Sequence, residues 1–254
     1  MLIFGLGYTA KVLAGRLRGD GWTVRATGRD GDLDFGDSAA VESVLAGASH
    51  VLSSVPPDRE GADPVLAAYG AKLAGKWLGY LSSTGVYGDT GGAWVDESAP
   101  IGTGRRTARS EADRAWQAAG AHVFRLPGIY GPGRSPLDRV ASGAAHRIDL
   151  PSQVFSRVHV DDIVCGVIAG LASPAGVYNL ADDLPASQNA VIEEACRLIG
   201  RDPPPLLSLE EANLSPMARA FYAENRRVAN GKARRVLGWR PAYPTYVEGL
   251  RALV

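Results

Sequence analysis

The first seventeen residues, MLIFGLGYTAKVLAGRL, join a short apolar run to a G-x-G-x-x-A turn and then to a helical pattern. No other stretch constrains the fold as much. Ala10, Leu13, Ala14 and Leu17 recur on one helical face, so the turn is preceded by a strand and followed by a helix. Gly5 permits the sharp turn, Gly7 keeps side chains away from an approaching group, and Ala10 lets helix and strand pack closely. The unpaired amides of the first helical turn suit a negative charge. This order predicts a dinucleotide held through its pyrophosphate, with Gly5, Gly7, Tyr8, Thr9 and Ala10 as contacts.

Further apolar runs at Trp22–Thr27, His50–Ser54, Trp77–Ser82 and His122–Leu126 read as strands. Between them, Pro64–Leu73 and Thr107–Ala119 read as helices that break at glycines. Such alternation favours parallel strands with crossover helices, because parallel neighbours need long return connections. Later, VDDIVCGVIAGLA offers Asp161 or Asp162 as a helix cap, and VYNLA (177–181) reads as one more buried strand. Val191, Ile192, Ala195, Leu198 and Ile199 share a helical face ended by Gly200. Asn230 and Gly238 bracket a final helix near NGKARRVLGW.

The end of the second strand, RATGRD, bears on which dinucleotide binds. A carboxylate there would accept bonds from ribose hydroxyls, whereas an arginine would pair with a 2′-phosphate. Thr27 and Arg29 favour NADP, with NAD as the alternative; Asp30 would oppose the phosphate.

With 27 basic and 27 acidic residues, no global field draws the chain to nucleic acid or to an anionic membrane. Cys165 and Cys196 lie far apart inside apolar helical patterns, which predicts buried thiols, no disulfide framework and no metal centre. No apolar run is long enough to span a bilayer. MLIF runs straight into glycines with no basic segment and long apolar core, so no signal peptide is expected and a cytoplasmic location follows. Helix faces used for pairing look like core faces in sequence, which keeps a homodimer open.

By GLGYTA, SSTGVYG, FRLPGIYGPGR and RVHVDDI, in that order, the chain resembles the short-chain dehydrogenase/reductase superfamily. It is most similar to an atypical branch of the extended NAD(P)-dependent epimerase/dehydratase group, and the likeness runs through VYNLADD to the C-terminal residues. The resemblance implies an α/β fold, a Rossmann-type doubly wound parallel sheet with a small C-terminal α/β substrate-binding cap. Residues 1–130 would form the dinucleotide-binding core, completed by about 158–181. Residues 131–157 and 182–254 would form the interleaved cap.

The same resemblance implies residue roles. Asp34 and Phe35 match the acidic-apolar pair beside the adenine, and Ser54 and Val55 the turn lining the cofactor. Ser83 falls where the family keeps its catalytic serine or threonine, and Pro127 and Gly128 where backbone meets the nicotinamide amide. Arg134 would face a substrate pocket with Tyr130 and His159 nearby, and Arg139 and Arg157 are further candidates for an anionic group.

One expected pair is missing. Family members follow the serine with Tyr-x-x-x-Lys, whose lysine charge lets the tyrosine exchange a proton near neutral pH. Placing Asp113 after that motif puts Arg105 at the tyrosine and Arg109 at the lysine position, and no tyrosine occurs between Tyr87 and Tyr130. Arg109 supplies a positive field without relaying a proton. Tyr87, close after the serines, is the leading substitute donor. The expectation is an NADP-linked oxidoreductase or epimerase acting on a small carbonyl or hydroxyl substrate. The alternative is a non-catalytic NADP(H)-binding or redox-sensing protein.

Overall fold

The computed structural model describes residues 1–58, 61–103 and 107–254, the side chains of 217 and 218 excepted. Six runs form one parallel sheet in the spatial order Gly176–Asn179, His122–Leu126, Trp77–Ser83, His50–Ser53, Leu2–Phe4, Arg25–Ala26. Ile3 lies opposite Ala26 on one side and Leu52 on the other. From Leu2–Phe4 the chain steps outward to Arg25–Ala26, then crosses to His50–Ser53 on the opposite side. Sheets of this kind open a ligand crevice at such a reversal, beyond the carboxyl ends of the strands. Gly5 and Ser54 stand at that point.

Apolar layers cover both faces, which is why the central strands read as continuous apolar runs rather than alternating ones. Ile3, Leu13, Leu17, Phe124, Ile163 and Val167 belong to one layer. Leu2, Phe4, Val41, Tyr69, Tyr80 and Trp116 belong to the other.

Leu2–Phe4 and His122–Leu126 form as the sequence predicts. The second strand is shorter than expected. The chain leaves it at Gly28 (φ 115°), and the Asp32 carboxylate turns back to accept the Ala26 N–H at 2.8 Å. The helix expected over Pro64–Leu73 stops at Tyr69 and tightens into a 3-10 turn over Gly70–Lys72. A helix that hydrophobic spacing does not announce, Ser38–Gly47, is started by Asp37, whose carboxylate accepts the Ala40 N–H at 3.0 Å.

Beyond the sheet, the helices Pro136–Ala141, Gln188–Leu198 and Tyr246–Arg251 share a separate apolar cluster that includes Leu137, Val191, Ile192 and Leu250. Capping boxes at Ser135 with Asp138 and at Thr245 with Glu248 fix two of these helices. The strand Gly128–Tyr130 pairs in parallel with Arg157–His159, and Trp94–Val95 pairs with Arg227–Val228. These short pairs bring distant segments against the carboxyl ends of the sheet.

Three local expectations are corrected. His159, rather than Asp161 or Asp162, caps the helix Val160–Gly170: its Nδ1 accepts the Asp161 N–H at 3.3 Å. Asp162 instead turns inward and accepts the N–H groups of Ala242 and Tyr243, which nail the C-terminal segment to the core. Asn230 precedes its helix, but its amide donates to Ala181 O and Asp183 Oδ1 at 2.8 Å each. Gly238 ends that helix with φ 64°, as its position predicts. Cys196 is buried and Cys165 is exposed, because residue 165 falls on the outer face of its helix. Among the described residues no helix is long and apolar enough to cross a membrane.

Candidate active site

A cleft of about 430 Å³ opens at the carboxyl ends of the strands. One wall is the start of the helix Tyr8–Gly19. Gly7 is its N-cap and no side chain caps it, so the amides of the first turn face outward without a protein acceptor from a capping residue. A Cβ built on Gly7 would meet nothing within 4 Å, so the backbone there is open to an approaching group. Gly5 is needed for a different reason. Its φ is 84°, and a Cβ there would come within 3.0 Å of Ser54 Oγ and Val55 Cγ2. The Ser54 hydroxyl donates to Gly5 O, and the Gly5 N–H donates to Thr27 Oγ1 at 3.1 Å. This bare helix end beside a close-packed glycine turn fits a dinucleotide diphosphate.

The floor is the end of the strand Trp77–Ser83. Ser83 Oγ accepts the Gly85 N–H at 3.1 Å and so starts the 3-10 turn Thr84–Tyr87. Its own proton is left to point elsewhere, and the residue lines the cleft. Ser82 behaves oppositely. Its hydroxyl donates to Asp113 Oδ2 at 2.5 Å, and Asp113 is held in turn by the Arg125 guanidinium at 2.8 and 3.1 Å. Asp113 and Arg125 are 0% and 2% exposed. Gln117 Nε2 donates to the other carboxylate oxygen at 2.6 Å. Arg109, from the helix Thr107–Ala118, reaches the same cleft, as do Pro127, Gly128 and Arg134. Arg105 lies outside the described residues.

Of the residues expected at the site, Gly7, Tyr8, Thr9, Ala10, Ser54, Ser83, Arg109, Pro127, Gly128 and Arg134 therefore share one cleft. Gly5 and Val55 shape its turn from behind. Thr27, 1% exposed, braces the glycine turn with its hydroxyl rather than facing outward. Arg29 and Asp34 are exposed on the other side of the strand reversal, where Asp34 Oδ1 accepts the Gly36 N–H at 2.9 Å. Phe35 packs edge-on against Phe4 and Tyr69.

Four side chains are not where the sequence suggested. Tyr87 is 1% exposed and closes a buried network: its hydroxyl donates to Asn179 Oδ1 at 2.7 Å and accepts from Arg125 at 3.0 Å. Burial pushes its pKa up to about 12 against the opposing charge of Arg125. The 3-10 turn carries the phenol into the core, away from the residues that line the cleft. Tyr130 and His159 stack edge-on at 5.2 Å, 4% and 1% exposed, in the seam between sheet and cap. Burial raises the Tyr130 phenol and lowers the His159 imidazole. Neither lines the cleft. Arg157 is 6% exposed, spends its guanidinium on Phe155 O and Ala186 O at 2.8 and 2.9 Å, and is not among the residues that line the cleft.

The sequence reading assigned residues 131–157 and 182–254 to a cap but named none of the side chains with which these segments line the cleft, among them Val154, Phe155, Phe221, Glu224, Arg226 and Val228. These residues carry no motif. The one local signal was the VFS that leads into RVHVDDI.

No protein-family model matches the chain. A conserved protein of unknown function from Silicibacter pomeroyi DSS is 44% identical, over 99% of this chain and 96% of that one, with a TM-score of 0.88. A UDP-glucose 4-epimerase from Thermotoga maritima, solved with UDP-glucose, is 17% identical over 98% and 96% of the two chains, with a TM-score of 0.80. Other solved structures with this fold carry NAD or NADPH. A Streptomyces protein named 3-diazoavenalumate denitrifying reductase is 31% identical over 140 residues, 50% of this chain and 45% of that protein. The chain's matches thus span about half the length of its curated relatives.

Proposed function

We propose that this chain, which belongs to one family with the Silicibacter pomeroyi protein and has the fold of the extended short-chain dehydrogenase/reductases in an atypical form, is an NADP(H)-linked oxidoreductase for a small polarised substrate. The observation that carries this reading is a single cleft shared by the bare helix end after Gly7, the Ser83 hydroxyl and the Arg109 guanidinium. A bound nicotinamide would supply or take up hydride. The protein's part is to hold and polarise the acceptor. Ser83 Oγ already accepts from Gly85 N, so its proton is the one offered to an oxygen lying in the cleft. The Arg109 guanidinium would stabilise negative charge growing on that oxygen without giving up a proton. Polarisation by a hydroxyl and a guanidinium takes over the tyrosine's electrostatic part, and the proton that completes the reduction passes through Ser83 Oγ, which takes its replacement from solvent in the open cleft. The reductase name of the Streptomyces relative supports the reductive direction.

NADP over NAD is supported by the charges beyond the second strand. Lys11 pairs with Asp30 and holds its carboxyl below the usual range, which neutralises the group that would repel a 2′-phosphate. Arg29 stands exposed beside it. Calorimetric titration tests this directly: NADPH is expected to bind at least about tenfold more tightly than NADH, and Arg29→Ala to erase the difference. A preference for NADH overturns the assignment.

A non-catalytic NADP(H)-binding role is the second reading, and the withdrawal of Tyr87 into the core favours it. Saturable NADPH oxidation with any member of a panel of small carbonyl acceptors excludes that role.

A further inference from the structure

We propose that the cap itself supplies a cofactor ligand: Arg134 reaches over the bare helix end and binds the dinucleotide's diphosphate, with Tyr8 as its positioning residue. This deepens the NADP(H) reading above and rests on it. A diphosphate bridge carries two negative charges. A helix end offers about half a positive charge, and residues 5–10 include no cation. Lys11, the next in line, is paired with Asp30. The turn alone therefore leaves most of that charge unbalanced.

Among the described residues three cations line the cleft, Arg109, Arg134 and Arg226. Arg226 pairs with Glu224 at 2.9 Å. Arg109 enters from the helix Thr107–Ala118, beside Tyr80. Arg134 is the one that stands at the glycine turn, and Tyr8 puts it there. Tyr8 is the first residue of the helix after Gly7. Its hydroxyl donates to Pro132 O at 3.0 Å, and the Arg134 guanidinium lies 5.7 Å from the centre of its ring. A cation over an aromatic face is attracted to it.

The loop is cut to fit that ring. A Cβ on Gly131 would come within 2.7 Å of Tyr8 Oη and 2.6 Å of Val160 Cγ1. The Gly131 N–H donates to Arg134 O at 3.2 Å and the Arg134 N–H to Gly131 O at 3.0 Å, which closes the turn. The paired strand Gly128–Tyr130 fixes one end of this turn, and the Ser135 capping box fixes the other. Tyr8 thus carries a first-turn amide of the cofactor helix on its backbone and the cap's cation on its ring. The guanidinium is exposed and makes no ion pair among the described residues. The carboxylates that share its field at Tyr8, Asp138 and Asp161, are engaged elsewhere. Asp138 Oδ2 accepts the Ser135 N–H at 3.0 Å, and Asp161 lies 3.6 Å from His159 Nδ1. A guanidinium in this state can grip phosphate oxygens with two parallel bonds, which an ammonium cannot.

Calorimetric titration of the full chain tests the assignment in two steps. NADP⁺ is titrated into the parent first, and absence of saturable heat there defeats the dinucleotide reading itself. Where the parent binds, Arg134→Gln should weaken NADP⁺ and NAD⁺ by the same factor, about tenfold. Both carry the diphosphate and only one carries the 2′-phosphate, so their affinity ratio should stay as in the parent, whereas Arg29→Ala should change it. Arg134→Lys should recover only part of the loss. Tyr8→Leu should weaken NADP⁺ in the parent yet add less than about twofold in the Arg134→Gln background, because it acts through the arginine. Melts without cofactor check that each variant folds; Arg134 is exposed, so its replacement should cost little stability. The assignment is overturned if Arg134→Gln leaves NADP⁺ affinity within about twofold of the parent. It is equally overturned if that variant weakens NADP⁺ but not NAD⁺, which would move the arginine to the 2′-phosphate, or if the Tyr8 and Arg134 losses simply add.

Discussion

The Ser82 hydroxyl sits 2.5 Å from Asp113 Oδ2, so the proton of one cleft-lining serine is committed to a carboxylate that is itself locked to Arg125. Asp113→Asn would leave the buried guanidinium half-partnered. Removing one member of such a pair costs about 3–5 kcal/mol, whereas Ser82→Ala, which removes one hydrogen bond, costs about 1 kcal/mol. Urea unfolding of both variants checks the order.

Tyr87→Phe should behave as a stability variant. It deletes a hydroxyl that both donates to Asn179 and accepts from Arg125, leaving two buried partners short of a bond. The expected loss is about 1–3 kcal/mol, with the NADPH dissociation constant and any measured turnover unchanged. A large fall in turnover at equal stability would return Tyr87 to the chemistry.

The two glycines of the turn should fail differently. Gly5→Ala forces a side chain onto φ 84° and against Ser54, at a cost of about 1–2 kcal/mol before any displacement. The Cβ of Gly7→Val meets nothing within 4 Å, and the backbone there is ordinary, φ −82° and ψ −171°. It should fold within about 1 kcal/mol of the parent yet bind NADPH at least about tenfold more weakly. Thermal melts with and without NADPH separate the two outcomes.

Stability should decline with rising pH. Asp182 is 2% exposed, and burial lifts its pKa to about 8 against the pull of Arg157, while Asp162 is lifted to about 6. Unfolded carboxyls have released their protons by about pH 4 to 5. The folded chain therefore binds more protons across the interval up to about pH 8, so stability is greatest below it, falls as pH rises through it and then levels. Melting temperatures from pH 5 to 9 should show this slope, and Asp182→Asn should flatten its upper part.

The nucleotide end of the cleft was legible because its determinants are local. Gly5, Gly7 and Ala10 act within a single turn, and a few consecutive residues carry that information. Tyr87 misled because nearness to Ser83 along the chain says nothing about which way a 3-10 turn points its last side chain. Arg125 was visible as a lone charge inside HVFRL, yet its partner Asp113 lies on another element. The cap wall was the least readable part. Val154 and Phe155 come from a different segment than Val228, and the two strips meet through the bonds from Val228 N–H to Ser156 Oγ and from Val154 N–H to Asn225 Oδ1, neither of which leaves a periodic trace.

The carboxylate of Asp32, folded back onto Ala26, has a consequence for the molecule among its copies. The outermost strand of a sheet usually offers its amides to any extended chain that drifts past. Here one of those donors is already satisfied from within, at the two-residue strand where a foreign segment would begin to zip. The Ala26 carbonyl is likewise taken, by the Leu33 N–H, so an incoming strand meets neither polar group of that residue unpaired.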